Sequence, residues 1–238
     1  MKKLILVSFL TLLIILVPKH LVKNNTSTYQ AIPKIINQSP APTSLPKYYL
    51  IKVPFIPQAP EKNWDQPWQD ACEEAAILTV KYYYSNQNPS TEQIISDYNE
   101  IFNKEISLGF SHDLNLAQMA TVSAQMFNLK SEIISYPTIE VIKSYLNRNL
   151  PIIAPANGKI LYRENKHFKS GGPWYHNLVI LGYDDNRQQF IVHDVGTQFG
   201  ANYHYSYNTL IDSLHDFPDS NRKEDINLGV KNILVLVK

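Results

Sequence analysis

The chain runs to 238 residues and carries 22 Lys and Arg against 21 Asp and Glu, a near-zero balance that excludes the basic footprint of a nucleic-acid or polyanion binder. Its 15 tyrosines and only 8 glycines exclude a low-complexity chain and point to a packed globular body.

Met1-Lys2-Lys3 precedes an almost unbroken apolar run from Leu4 to Val17, closed by Pro18-Lys19-His20. Basic residues followed by a hydrophobic stretch form the layout of a secretory signal. The run is short of the about 20 residues that span a bilayer. No small-x-small cleavage site follows it. Residues 1–21 therefore read as a signal peptide or an uncleaved membrane anchor. Either places the remainder outside the cytoplasm, secreted or held on the outer face of the cell membrane. Residues 22–46 are polar, contain Pro40-Ala41-Pro42 and show no hydrophobic period, which makes them a flexible linker. The folded domain is expected over 47–238.

Within it, Tyr48 to Val53 predicts a first strand. A helix is expected over about Ala71 to Ser85, where Ala75, Ala76, Val80 and Tyr83 recur on one face. Thr91 to Tyr98 reads as a second helix, capped by Ser90 or Thr91. Asn115 to Phe127 and Ile139 to Arg148 read as a third and fourth. Short apolar runs follow: Pro151–Ala154, Asn177–Leu181, Phe190–Val192 and Asn232–Val237. Helices first and strands second predict an α+β domain with an antiparallel sheet.

The only cysteine, Cys72, stands at the start of the first predicted helix. Asp70 followed by Glu73 resembles a capping pattern. In the first helical turn, free N–H groups and the positive end of the dipole favour a thiolate, the nucleophilic form. A lone cysteine is also often a small buried hydrophobe. In an exported protein, however, an unpaired thiol risks oxidation, and a functional role would explain its retention. Glu73 is an opposing feature. A carboxylate so close raises the thiol pKa unless it points away or caps the helix.

Tyr175–Tyr183 and Gln189–Val195 flank the turn-forming Asp184-Asp185-Asn186-Arg187. A hairpin centred near Asp185 sets His176 opposite Asp194, where a carboxylate can fix the imidazole. A slip of one residue would offer His193 instead. No His, Cys, Asp or Glu group has zinc-ligand spacing, so neither metal nor cofactor is expected.

Val53–Gln58, Ala71–Ala75, His176–Tyr183 and His193–Thr197 together resemble the C39-like cysteine peptidases, a family of the papain-like superfamily. The resemblance covers roughly Lys47 to Lys238. It implies a papain-like fold, with N-terminal helices packed against an antiparallel sheet. It also implies Cys72 as nucleophile, His176 as general base and acid, and Asp194 as its orienting partner. A glutamine upstream of the cysteine would serve the oxyanion; Gln58 matches that position, with Gln66 and Gln69 as competitors. The chain departs from the family's exporter branch, since it has no transporter segment. The expected activity is peptide-bond hydrolysis of a peptide or protein substrate through an acyl-enzyme. A cell-wall amidase or transpeptidase, and an inactive peptide-binding domain, are the alternatives. Trp64, Trp68, Trp174 and Tyr175 are candidate walls of a peptide cleft. Gly171-Gly172-Pro173 is either a mobile lip of that cleft or an ordinary turn.

Overall fold

Apolar runs without alternation need cover on both faces, and the sheet of this protein has it. The computed structural model describes residues 44–238; the leader assigned to 1–21 and nearly all of the linker assigned to 22–46 lie outside the described residues. Among the described residues, no helix is long and apolar enough to cross a membrane.

The elements run β1 (Tyr48–Leu50), α1 (Cys72–Ser85), α2 (Thr91–Leu108), α3 (Leu116–Phe127), β2 (Lys130–Ser135), α4 (Ile139–Leu146), β3 (Ile152–Asn157) and α5 (Gly158–Leu161). They continue with β4 (Tyr175–Asp184), β5 (Gln189–His193), β6 (Tyr203–Ser206), α6 (Tyr207–Ser213) and β7 (Asn232–Val237). The sheet order is β2-β7-β3-β4-β5-β6, with every pair antiparallel. The long strand β4 carries β3 along its first half and β1 along its end.

Neighbouring residues on each strand divide between two cores. Ile153, Val179, Leu234 and Leu236 meet α1, α2 and α3. Ile152, Leu178, Ile180, Ile233 and Val235 meet α4, α5 and α6. The expected helical layer on one face is therefore joined by a second on the other. Helix α1 is buried almost all round, beyond the single face its spacing predicted, because the sheet covers one side and α2 with α3 the other. Helix α2 runs ten residues past its expected end at Tyr98, to the left-handed Gly109. Asn115 caps α3 in a full capping box with Gln118.

Two carboxyls are trapped between α1 and α2. Glu74 and Glu105 face each other, and one oxygen of each has no hydrogen-bond partner. Burial pushes Glu105 up to about 7. Burial and the charge of Glu105 push Glu74 up as well. The folded state thus binds a proton that the unfolded chain releases near pH 4.5. This contribution to stability is complete below that value and is lost as pH rises through about 7. Glu105→Gln is expected to lessen that alkaline-side decline by the Glu105 share, on the order of 2–3 kcal/mol between pH 4.5 and 7.5 in urea unfolding, and to leave the share of Glu74.

Candidate active site

Cys72 is the first residue of α1 and is buried. The turn before it, Trp68–Asp70, is 3-10, and the helix has no side-chain cap. The expected capping pair is not formed. Asp70 instead accepts a hydrogen bond from Gln66 Nε2 at 2.6 Å and faces Lys223 at 3.7 Å. Glu73 turns inward to the thiol, so that Cys72 Sγ donates to Glu73 Oε2 at 2.9 Å. Burial, then the Glu73 charge, push the thiol well above its ordinary value. The helix start was expected to favour a thiolate; burial and the adjacent carboxylate outweigh it.

His176 and Asp194 do meet, with His176 Nε2 and Asp194 Oδ1 2.9 Å apart. Their register differs from the expected one. The turn spans Asp185–Gln188 and is centred later than Asp185, giving Tyr183↔Phe190 and Gly182↔Ile191. A β-bulge at Leu181 then shifts the pairing, giving Ile180↔Val192 and Val179↔His193. One extra residue reverses the parity of all that follows. Asp194, just past the strand, thereby comes diagonally onto the face of His176, while His176 itself stands opposite Ala156. His193 takes the other face. Its Nε2 bonds Val53 O, and its Nδ1 accepts from Asn202 N–H.

Asp194 is fully buried, and its second oxygen accepts from Asn165 Nδ2 and Tyr205 OH. Burial alone would raise this carboxyl. The His176 charge and the three hydrogen bonds reverse that and hold it below the usual carboxylate range. A carboxylate only accepts, so His176 Nε2 carries a hydrogen, and in the neutral ring the lone pair is on Nδ1. The ring is held by Phe168, edge-on with centroids 5.3 Å apart. It is also held by Gly196, where an added Cβ would lie 2.6 Å from His176 Cε1. Sequence reasoning missed Asn165, Tyr205 and Gly196. Only Tyr205 carried a local signal, as the second tyrosine of an alternating Tyr203-His204-Tyr205 run.

Cys72 and His176 line one cleft of about 630 Å³. Gln58 lines it too and is buried, with Nε2 donating to Trp68 O and Gln69 O, each at 2.9 Å. Of the two competitors, Gln69 also lines the cleft, whereas Gln66 is engaged with Asp70. Trp64, Trp174 and Tyr175 are on the cleft wall, joined by the exposed Phe199. Trp68 is not; it packs inward, edge-on to Tyr98 at 5.1 Å and Phe102 at 5.9 Å. Gly172, at a left-handed φ of 84°, packs directly on the Gly158 carbonyl, as a tight turn beneath Trp174 requires. Among the described residues, no group of three or more His, Cys, Asp or Glu is placed to hold a metal.

A model of the Peptidase_C39 like family matches residues 50–218. Among solved structures, one described as a C39-like peptidase from Bacillus anthracis aligns at 14% identity and a TM-score of 0.47, over 80% of this chain and 98% of its own. Xylellain, a cysteine protease from Xylella fastidiosa, aligns at 14% identity and a TM-score of 0.41, over 82% of this chain and 87% of its own. No curated protein matches the chain.

Gly196→Ala is expected to displace the His176 ring from Asp194 without unfolding the domain. Proton NMR reads this as loss of the low-field imidazole N–H signal of the bonded pair, with Tm lowered by only a few degrees.

Proposed function

This chain belongs to the Peptidase_C39 like family and is a cysteine peptidase; from that premise we propose that it hydrolyses peptide bonds through a Cys72–His176–Asp194 triad. The observation that carries the reading is the buried His176–Asp194 pair opening on the same cleft as the thiol.

In the proposed cycle, His176 Nδ1 takes the proton from Cys72, and the sulfur attacks the scissile carbonyl carbon. Asp194 keeps the imidazole oriented and stabilises its charged form. The oxyanion receives the Cys72 backbone N–H, which has no intrahelical acceptor because the first helical bond is Ala75 N–H to Ala71 O. Gln58 is the second donor. Its amide is already braced against the turn that delivers Cys72, so one of those two bonds yields to the oxyanion. The imidazolium then protonates the departing amine, leaving an acyl-Cys72. Water attacks the acyl carbon, its proton passes to His176, and the thiol is restored.

The substrate is a peptide or protein laid along the cleft. Trp174, exposed at 41%, and Trp64, exposed at 37%, offer apolar surface to its side chains. Export belongs to the same reading and rests on the basic-then-apolar start of the chain over residues 1–21.

Cys72→Ala and His176→Ala are each expected to lower kcat/KM on a peptide library by at least about 10³-fold with Tm little changed. Native chain that cleaves no peptide, and forms no acyl-Cys72 adduct by mass spectrometry, would refute the reading. Trp174→Ala is expected to raise KM by about 10-fold with kcat nearly unchanged, since it removes binding shared by substrate and transition state.

A further inference from the structure

Glu73 is buried beside the reacting sulfur, and the triad makes no use of it. Its two oxygens have separate partners. Oε2 accepts the Cys72 thiol at 2.9 Å, and Oε1 accepts the Leu114 N–H at 3.1 Å. Leu114 lies in the segment between α2 and α3, itself buried and tied down by Tyr175 OH, which donates to Leu114 O at 2.8 Å. The carboxyl is therefore clamped by backbone from another element and cannot swing away from the sulfur alone. Asn177 Nδ2 approaches the same sulfur at 4.0 Å. Among the described residues, the thiol hydrogen has Glu73 as its only acceptor.

We propose that Glu73 sets the protonation state of the nucleophile: as a carboxylate it holds Cys72 as a neutral thiol, and as a neutral carboxyl it donates to the sulfur and supports the thiolate. This rests on Cys72 being the nucleophile. The proton balance closes in the second state. The S–H bond breaks, an N–H bond forms on His176 Nδ1, and the carboxyl proton stays on Glu73 as a hydrogen bond to the sulfur. A second negative charge beside an ionised Glu73 is opposed in so dry a setting.

The groups facing Glu73 bias it toward the neutral form. Burial and the charge of Asp113, on the α2–α3 segment, push its carboxyl well above the usual range. Among the described residues, Glu74 on the same helix and Tyr175 on β4 also feel its charge, as does the thiol. Asp113 lines the cleft, as does Lys223, whose charge lowers Asp113 in turn. A substrate that covers these residues would therefore act on the charge felt by Glu73.

The full chain has a single cysteine, so its thiol is read without interference. Glu73→Gln keeps an acceptor for Leu114 and removes the charge. It is expected to move the pH midpoint of iodoacetamide alkylation of Cys72 down by about one unit or more. An unchanged or higher midpoint overturns the proposal. The second measurement needs no variant. In the native chain the infrared S–H stretch is expected to change in position or strength on acidification, as Glu73 takes up its proton. A band constant over the whole pH range in which the chain stays folded also overturns it. Neither readout involves turnover, so failure of the peptidase reading shows separately, as absent peptide cleavage by native chain.

Discussion

A carboxylate with no exposure at all, Asp194, is the constraint around which the sheet end of this protein is arranged. Removing an ion of this kind from water costs several kcal/mol unless its oxygens are satisfied. Here the compensation comes from three separate segments: His176 on β4, Tyr205 on β6 and Asn165 in the loop after α5. Its backbone N–H bonds Gly200 O at 2.9 Å, so the chain after β5 is folded back on itself at the same point. One charge thus fixes strand ends, loop and imidazole together. A histidine oriented this way has one nitrogen committed and one left facing the cleft.

The helix layer solves a different problem. Helix α1 must begin beside the sheet, yet its first residue must reach the cleft. No side chain caps it, and the preceding 3-10 turn is secured from outside by the Gln58 amide. Gln58 is tied in turn to the sheet side, through its N–H to Val195 O at 3.0 Å. The residue proposed for the oxyanion therefore also connects the segment that carries Cys72 with the segment that carries Asp194. Precision at the cleft follows from these shared supports more than from the stability of any single element.

Buried acids recur through this domain, two of them on α1, and they act in opposite senses. Asp194 is held ionised by donors, whereas burial pushes Glu73, Glu74 and Glu105 toward the neutral form, with the charge of Asp113 adding at Glu73 and the charges of Glu105 and Glu73 adding at Glu74. The same low dielectric produces both results; the hydrogen-bond partners decide the direction. Glu73 and Cys72 extend this pattern to the sulfur.

Much of this was legible in local sequence. The starts of α1 to α4, the Ser90 cap, the strand β7 and the antiparallel α+β class follow from periodicity and capping residues. What escaped was non-local. The strand β2 has little apolar character and is held by pairing along β7. The ladder parity turns on one residue, Leu181, whose carbonyl accepts from Ile51 N–H at 2.8 Å. Nothing near Leu181 in sequence requires a bulge there. The expected His176–Asp194 meeting was therefore reached through the wrong register. Local sequence suffices to say which reactive groups the chain owns and which elements carry them, because propensity, capping and periodicity act over a few residues. Which groups meet, which of His176 and His193 faces the carboxylate, and that Glu73 points at the thiol are settled by packing, because strand parity and burial depend on partners outside the local window, such as Ile51 at Leu181 and Leu114 at Glu73.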